Sequence, residues 1–282
     1  MGVYAVNLIS GCPFECAFCK FRANKYLPTG HLVTYSDVAQ QLAEEVDSLR
    51  RRGQEVRMVL LNATTDAFFG DDVVDKAAVR TLDVLLARSV YVNITTRGII
   101  PRDAVELMAA RPNLVTVTCN ISSPSDSFKR IFEPRVPSVA ARLSMIRSLH
   151  ERGIPVRGRI EPLIPMENDT RDHVDHLLSL FRETGVRDVV VSFLQMRIDV
   201  AARLKEMVNR VQASMLTHWY RSPDGGLARQ VDREYRKNKY EEYKKHGAKL
   251  GMRVIVCACR NADMYSGRCY VAPERPAGKR LL

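Results

Sequence analysis

Hydrophobic positions along this chain alternate between short β-branched runs and longer amphipathic stretches. The short runs predict strands at residues 3–9, 56–61, 90–95, 114–120, 156–164 and 188–194. The amphipathic stretches predict helices at residues 36–51, 75–87, 101–110, 138–152 and 170–184. A regular strand–helix alternation of this kind predicts a parallel sheet with right-handed crossovers. The fold class expected is therefore α/β, a partial (β/α)6 TIM-type barrel.

The pattern changes after residue 197. Two helical stretches at 200–220 and 227–250 are separated by a Ser-Pro-Asp-Gly-Gly turn, and a last strand at 252–256 leads into a tail with several cysteines. We therefore predict a barrel core over residues 1–197 and a helical, cysteine-rich C-terminal extension over residues 198–282. In barrels of this type the chemistry is found at the carboxyl ends of the strands, so the loops after the strands are the first place to look for functional residues.

Three cysteines lie in the first of these loops. Cys12, Cys16 and Cys19 form a C-x3-C-x2-C motif directly after the first predicted strand. Thiolates gathered this closely are typical of one soft-metal centre, and a four-iron cluster held by three cysteines keeps its fourth iron open for another ligand. The spacing leaves two alternatives, a zinc site completed by His31 or unrelated buried thiols, although zinc sites usually use two cysteine pairs.

This spacing, with Phe18 directly before the third cysteine, resembles the signature of the radical S-adenosylmethionine (SAM) superfamily. The resemblance implies a [4Fe-4S] cluster on Cys12, Cys16 and Cys19, with SAM bound at the open iron and Phe18 near the adenine. Members of the superfamily cleave SAM reductively to methionine and a 5′-deoxyadenosyl radical, which abstracts hydrogen from a substrate. A reductant such as a ferredoxin or a flavodoxin-like protein is then an expected partner.

Polar residues at the other strand ends are candidates for binding SAM or substrate. Thr65 and Asp66 follow the second strand, where many superfamily members carry Gly-Gly-Glu for the SAM amino group. The remaining candidates share a position at or near the end of a strand: Arg97, Asn120, Ser122, Arg159, Glu161 and Gln195. Structural alternatives stay open, since a strand can end in a polar cap, Arg97 can face solvent, and Arg159 can form an ion pair with Glu161.

Several segments resemble one branch of the superfamily, the spore photoproduct lyase-like or "DNA repair photolyase" group. They fall in family order at residues 65–68, 94–97, 132–138, 153–156 and 162–169. This resemblance favours a nucleic acid or nucleotide substrate. Lesion-repair members carry a hydrogen-donating cysteine where this chain has Ala63, and the group usually has lysine where this chain has Arg97. Cys119, on another strand, is the candidate catalytic thiol, unless it is a small buried hydrophobe.

The tail carries a second group of cysteines, Cys257, Cys259 and Cys269, in a C-x-C-x9-C motif. Their proximity in sequence predicts a second metal site. Resemblance to C-terminal extensions elsewhere in the superfamily implies a second [4Fe-4S] cluster. Zinc with a histidine or Cys119 as fourth ligand, and a disulfide, are the alternatives.

The formal net charge of +11 over 282 residues favours a phosphate-bearing partner. The predicted basic helix over residues 229–249 includes Tyr235, Tyr240 and Tyr243, which either stack on bases or pack on the barrel. No apolar run reaches the ~18 residues of a membrane span, and no signal-peptide pattern is visible. We expect a cytoplasmic enzyme without membrane contact, and the oligomeric state stays open. The alternatives to a nucleic-acid enzyme are small-molecule or cofactor biosynthesis, including sulfur insertion, and a non-catalytic metal-containing nucleic-acid-binding module.

Overall fold

The structure is a computed structural model that describes residues 2–23, 32–35, 37–207, 218, 220–221 and 228–267. Within these residues, seven parallel strands form the main sheet, and their order in space follows their order in the chain. The strands are β1 (Val3–Val6), β2 (Met58–Leu61), β3 (Tyr91–Thr96), β4 (Val115–Asn120), β5 (Val156–Leu163), β6 (Asp188–Phe193) and β7 (Arg253–Val256). This topology confirms the α/β partial barrel.

Helices connect the strands. They are α1 (Val38–Arg51), α2 (Asp72–Ala87), α3 (Arg102–Ala110), α4 (Asp126–Phe132), α5 (Val139–Glu151), α6 (Arg171–Glu183), α7 (Ile198–Met207) and α8 (Arg233–Lys249). Side chains cap several first turns, since Asp71 accepts from the N–H groups of Val73 and Val74, and Ser138 accepts from that of Ala141. The sequence pattern did not predict α4, because its seven residues are too few to establish a helical period. None of the helices in the described part of the chain is long and apolar enough to cross a membrane.

The core consists of the β-branched strand residues and the apolar faces of the helices. Val59, Val92, Val117 and Val191 are fully buried in the sheet, as expected for parallel strands covered on both faces. Gly158 on β5 allows α6 to approach closely, because a Cβ atom there would lie 2.8 Å from the Phe181 ring.

The C-terminal extension follows the sequence prediction at its last strand and differs from it in its helices. The predicted last strand forms as β7 and pairs with β6, which makes it the seventh strand of the main sheet. The helix predicted over residues 227–250 begins only at Arg233, because the Asp232 carboxylate caps it by accepting from the Tyr235 N–H at 3.0 Å. Strands Tyr220–Arg221 and Ala228–Val231 instead form an antiparallel sheet with Met196–Arg197, so the prediction of helix at these positions is wrong. The proposed division at residue 197 stays a prediction.

Candidate active site

A cavity of about 460 Å³ opens at the carboxyl ends of the strands. The loop after β1 contributes three cysteines to its wall, and the ends of β2 to β6 and the turn after β7 contribute other residues. Twelve residues predicted from the sequence line it: Cys12, Cys16, Phe18, Cys19, Thr65, Asp66, Arg97, Asn120, Arg159, Glu161, Gln195 and Cys259. The fold therefore brings together candidates that lie as much as 247 positions apart in the chain.

Four of the predicted residues are not on this wall. Ser122 is fully buried behind it, with its hydroxyl 2.7 Å from the Glu133 Oε1 atom and 2.8 Å from the Glu161 carbonyl oxygen. Cys119 packs in the hydrophobic core with 1% of its surface exposed, and burial raises its pKa to about 12. Cys257 is also buried, with its sulfur 2.8 Å from that of Cys259. The fourth, Cys269, lies outside the described residues.

Contacts from distant helices hold the cysteine loop. The Ala17 N–H donates to the Phe132 carbonyl at the end of α4 at 2.9 Å. Arg203 on α7 donates through Nη1 to the carbonyls of Ala17 at 2.8 Å and Cys19 at 3.1 Å. Because these bonds are made to the backbone, they fix the course of the loop between its second and third cysteines. The extension therefore helps to shape the candidate metal site.

The cysteine loop fits a metal cluster chemically. Burial raises the pKa of the Cys12 thiol to about 11 and raises that of Cys16 further, with the nearby Arg97 acting against the shift at Cys16. Thiolates in such a position need a compensating cation. Within the described residues no three cysteine, histidine, aspartate or glutamate side chains converge closely enough to hold a single ion. A cluster binds each thiolate at a different iron, so it suits three cysteines that line one cavity wall.

Arg97 is held inside the protein instead of facing solvent. Its Nε donates to the Glu133 carboxylate at 3.3 Å, its Nη2 donates to the Glu161 carbonyl at 2.7 Å, and the guanidinium lies over the Phe18 ring. Burial acts to lower the pKa of Arg97, but the negative charges of Cys16, Glu133 and Glu161 outweigh it and the pKa is raised. Arg97 thus presents a permanent positive charge at the cavity.

Glu133 is a site residue that the sequence reading missed. It is 1% exposed and pairs with Arg142 at 3.4 Å as well as with Arg97. Arg142, equally buried, donates in turn to the Asn120 carbonyl at 2.7 Å. The segment around Glu133 contributed to the family resemblance, but nothing in the sequence indicated that its carboxylate would meet two arginines.

The Asp66 carboxylate links the loop after β2 to the end of β3 by hydrogen bonds. It accepts from the Phe68 N–H at 3.1 Å, the Thr96 hydroxyl at 2.7 Å and the Arg97 N–H at 2.6 Å. Burial raises the pKa of Asp66 although these bonds act to lower it. Both oxygens are thus committed to the protein, which ties the end of β3 to the loop after β2.

Several polar atoms around the cavity have no hydrogen-bond partner among the described residues. They are Asn62 Nδ2, Thr65 Oγ1, Asn93 Nδ2 and Asn120 Oδ1. Buried polar groups are almost always satisfied, so these atoms indicate a polar ligand. The amino group and ribose hydroxyls of SAM supply donors and acceptors of this kind. Asn93 was missed from the sequence, where the only indication was a lone amide within a hydrophobic strand.

A charged cluster covers another part of the wall. Arg159 pairs with Glu161, as the structural alternative anticipated. Arg260, from the turn after β7, donates to the Glu161 carboxylate at 3.1 Å and to Gln195 Oε1 at 3.1 Å. Burial acts to raise the pKa of Glu161, but Arg159 and Arg260 lower it below its usual value. Arg260, like Glu133 and Asn93, was not predicted from the sequence.

The tyrosines of α8 pack on the barrel. The hydroxyls of Tyr235 and Tyr243 donate to Asp169 at 2.6 Å, and that of Tyr240 donates to Asn261 at 2.9 Å. Tyr240 and Tyr243 are almost fully buried. The rings therefore have a structural role, and the second of the two sequence alternatives holds.

Comparisons with known proteins agree with this geometry. An uncharacterized protein of Mycobacterium tuberculosis is 26% identical over 204 residues, covering 69% of this chain and 59% of the relative. A Radical SAM Nalpha-GlyT isomerase of Pseudomonas phage M6 is 20% identical over 253 residues, covering 87% of this chain and 51% of the relative. The chain thus spans only about three-fifths of the length of the mycobacterial relative.

A solved structure of a spore photoproduct lyase mutant, with bound AdoMet and dinucleoside spore photoproduct, superposes with a TM-score of 0.70. It is 15% identical, and the match covers 89% of this chain and 75% of that one. The family model of the radical SAM superfamily matches residues 6–181, which is more than half of the chain. The protein therefore belongs to the radical SAM superfamily.

Proposed function

We propose that this protein is a SAM-cleaving enzyme whose [4Fe-4S] cluster is held by Cys12, Cys16 and Cys19, and that it acts on a nucleic acid or nucleotide. The observation that carries the proposal is the shared cavity, since all three cysteines line the same wall as Phe18 and Arg97. When bound, the cluster would supply the electron that cleaves SAM and so produce the hydrogen-abstracting radical.

The residues of the chain bind and orient SAM. Arg97 keeps both N–H groups of Nη1 for the SAM carboxylate, because its bonds to Glu133 and Glu161 use Nε and Nη2. Phe18, buried beside it, offers an apolar face to the adenine. The unpartnered amides of Asn62 and Asn120 would take the remaining polar groups.

Charge and similarity support a phosphate-bearing substrate. The net charge of +11 favours a polyanion. The matched spore photoproduct lyase binds a dinucleoside photoproduct in the same fold, which supports a nucleoside-containing substrate for this chain. The hydrogen-transfer role predicted for Cys119 would require its thiol to leave the hydrophobic core.

We also propose a second [4Fe-4S] cluster on Cys257, Cys259 and Cys269, with zinc or a disulfide as the rival states. The neighbouring sulfurs of Cys257 and Cys259, and the place of Cys259 on the cavity wall, support a centre close to the substrate. Anaerobic reconstitution followed by iron and zinc analysis separates these states. About eight iron atoms per chain are expected for two four-iron clusters. A value near four would contradict the second cluster.

SAM cleavage is tested with the reconstituted full chain, dithionite and SAM under anaerobic conditions. We expect 5′-deoxyadenosine and methionine in equal amounts, and we expect Cys16→Ala to abolish both because it removes one cluster ligand. Circular dichroism of the variant checks that the fold is retained. Well-loaded wild-type protein that produces no 5′-deoxyadenosine, with dithionite or with a ferredoxin or flavodoxin, would favour the non-catalytic binding module.

The substrate class is tested by fluorescence anisotropy with single-stranded DNA and RNA at increasing salt. Binding to phosphates releases counterions, so affinity should fall steeply between about 50 and 200 mM salt. Affinity that is undetectable even at low salt would contradict the nucleic-acid proposal and favour a small metabolite.

A further inference from the structure

Three cationic side chains from separate elements line the same cavity. Lys20 begins the 3₁₀ helix Lys20–Ala23 after the cysteine loop, Arg197 ends the short strand after β6, and Arg260 lies in the turn after β7. Burial lowers the pKa of the Lys20 ammonium, and the positive charges of Arg260 and Arg197 add to this, whereas the negative charges of Glu161 and Cys259 oppose it. Such like-charged neighbours are unfavourable unless an anion joins them.

Among the described residues the two arginines form ion pairs, whereas Lys20 forms none. Arg260 donates to Glu161, and Arg197 donates through Nε to Asp199 at 3.1 Å. In the part of the chain that the structure describes, Lys20 forms no ion pair, and its ammonium lies 5.0 Å from the centroid of the Phe21 ring. A half-buried ammonium without a carboxylate is well placed to bind an anionic ligand.

The whole cavity wall has an excess of positive charge. Its cationic side chains are Lys20, Arg97, Arg159, Arg197 and Arg260, and its carboxylates are Asp66 and Glu161. Asp66 is committed to backbone and hydroxyl donors, and Glu161 is shared between two arginines. Cationic side chains on this wall therefore outnumber the carboxylates, and the nearest carboxylate that acts on Lys20, that of Glu161, is already bonded to two arginines.

We propose that Lys20, flanked by Arg197 and Arg260, binds a phosphate group of the substrate at the cavity wall. This inference rests on the proposed function and narrows its substrate to a phosphate-bearing nucleotide or nucleic acid. An ammonium offers three N–H donors as a point charge, which suits a phosphate whose acceptor oxygens lie on several sides. A phosphate held there would anchor the attached nucleoside next to the cysteine loop.

The test measures binding to the reconstituted enzyme by calorimetry at low salt. The probes are the dinucleotide d(TpT) and its uncharged methylphosphonate analogue, in which a methyl group replaces one non-bridging phosphate oxygen and its charge. We expect d(TpT) to bind about tenfold more tightly, as one charge-assisted contact allows. Lys20→Met should remove this difference and Lys20→Arg should keep most of it. Lys76→Met, which removes an exposed lysine on α2, is the matched control and should keep all of it.

Four results would overturn the inference. The first is equal affinity of the wild-type enzyme for both probes. The second is a difference that persists in Lys20→Met. The third is inorganic phosphate competing as strongly as d(TpT), which would identify a free anion as the ligand. The fourth is a Lys20→Met variant that loses SAM affinity but keeps the difference between the probes, which would assign Lys20 to the SAM carboxylate. Formation of 5′-deoxyadenosine by the wild type without dinucleotide tests the proposed function separately.

Discussion

The guanidinium carbon of Arg97 lies 5.2 Å from the centroid of the Phe18 ring. A cation over an aromatic face is attracted by the ring quadrupole, more strongly when it is desolvated. The contact joins the end of β3 to the cysteine loop, and the buried Glu133 carboxylate holds the guanidinium in place from behind. The position of one wall of the proposed SAM site therefore depends on this pair.

Replacement of Arg97 by lysine tests this arrangement. Arg97→Lys keeps the charge but loses the planar fork, so it cannot contact Glu133, Glu161 and a carboxylate ligand together. We expect SAM affinity to fall about tenfold and the free energy of unfolding to fall by about 1–2 kcal/mol. Calorimetry and urea denaturation measure these quantities. Arg111→Lys, at an exposed position, should change neither, and unaltered SAM binding in Arg97→Lys would refute the assignment.

Removal of Arg203 should loosen the cysteine loop from the extension. Arg203→Ala deletes both hydrogen bonds to the loop carbonyls, which costs about 1–2 kcal/mol in total and leaves the loop less ordered. We expect reconstituted iron content to drop and cluster loss to a chelator to become several times faster than in the wild type. Lys205→Ala, on the exposed side of the same helix, serves as the control. Equal chelation rates in the two variants would show that the loop does not need this contact.

Asp75, in the first turn of α2, should make the stability of the protein depend on pH. Burial, together with the charges of Asp71, Asp72 and Asp66, raises its pKa from 3.8 to about 6. A carboxyl whose pKa is higher in the folded state destabilises the fold when ionised, and this cost grows as the pH rises from about 4 to about 6. Because Asp75 is partly exposed, solvent screening reduces the cost to about 1 kcal/mol.

Asp75→Asn should therefore be more stable than the wild type at pH 7.5, with the difference shrinking towards pH 4.5. Urea denaturation at both pH values measures it. Asp83→Asn, which removes an exposed carboxylate further along the same helix, should have an effect within about 0.5 kcal/mol at either pH. A difference that is the same at both pH values would contradict the argument.

A variant of Tyr235 distinguishes a packing role of the α8 tyrosines from a role in stacking on bases. Tyr235→Phe keeps the ring against Phe193 but removes the hydrogen bond to Asp169. We expect the free energy of unfolding to fall by about 1 kcal/mol while affinity for single-stranded DNA stays the same. Denaturation and anisotropy give the two readouts. A loss of DNA affinity without a loss of stability would reinstate the nucleic-acid role.

Local sequence information was sufficient for the strands and for the position of the cysteine loop. Runs of β-branched residues predicted six strands, and the order of these strands in the sheet follows their order in the chain. The carboxyl ends of parallel strands lie at one edge of the sheet. From this rule we expect Cys12, Arg97 and Glu161 to lie close together, and all three line the same cavity in the structure. The parts predicted well are those in which a short segment carries its own structural signal.

Which side of a strand faces the cavity could not be determined in this way. Both faces of a parallel sheet are buried, so hydrophobic alternation does not distinguish them. Asn120 lines the cavity, and Cys119, the residue before it, packs in the core. Both side chains are buried, so burial does not show which of them faces the cavity. Barrel closure selects between them, and closure depends on all the strands together.

The sequence by itself determined the superfamily, the barrel and the cysteine loop, because each is encoded in a contiguous stretch with a fixed period or spacing. Only the tertiary structure decided that β7 returns to the sheet and carries Arg260 to Glu161, and that Arg203 reaches back to Ala17. These contacts join residues about 100 to 190 positions apart, and they form only once helix packing has placed both partners.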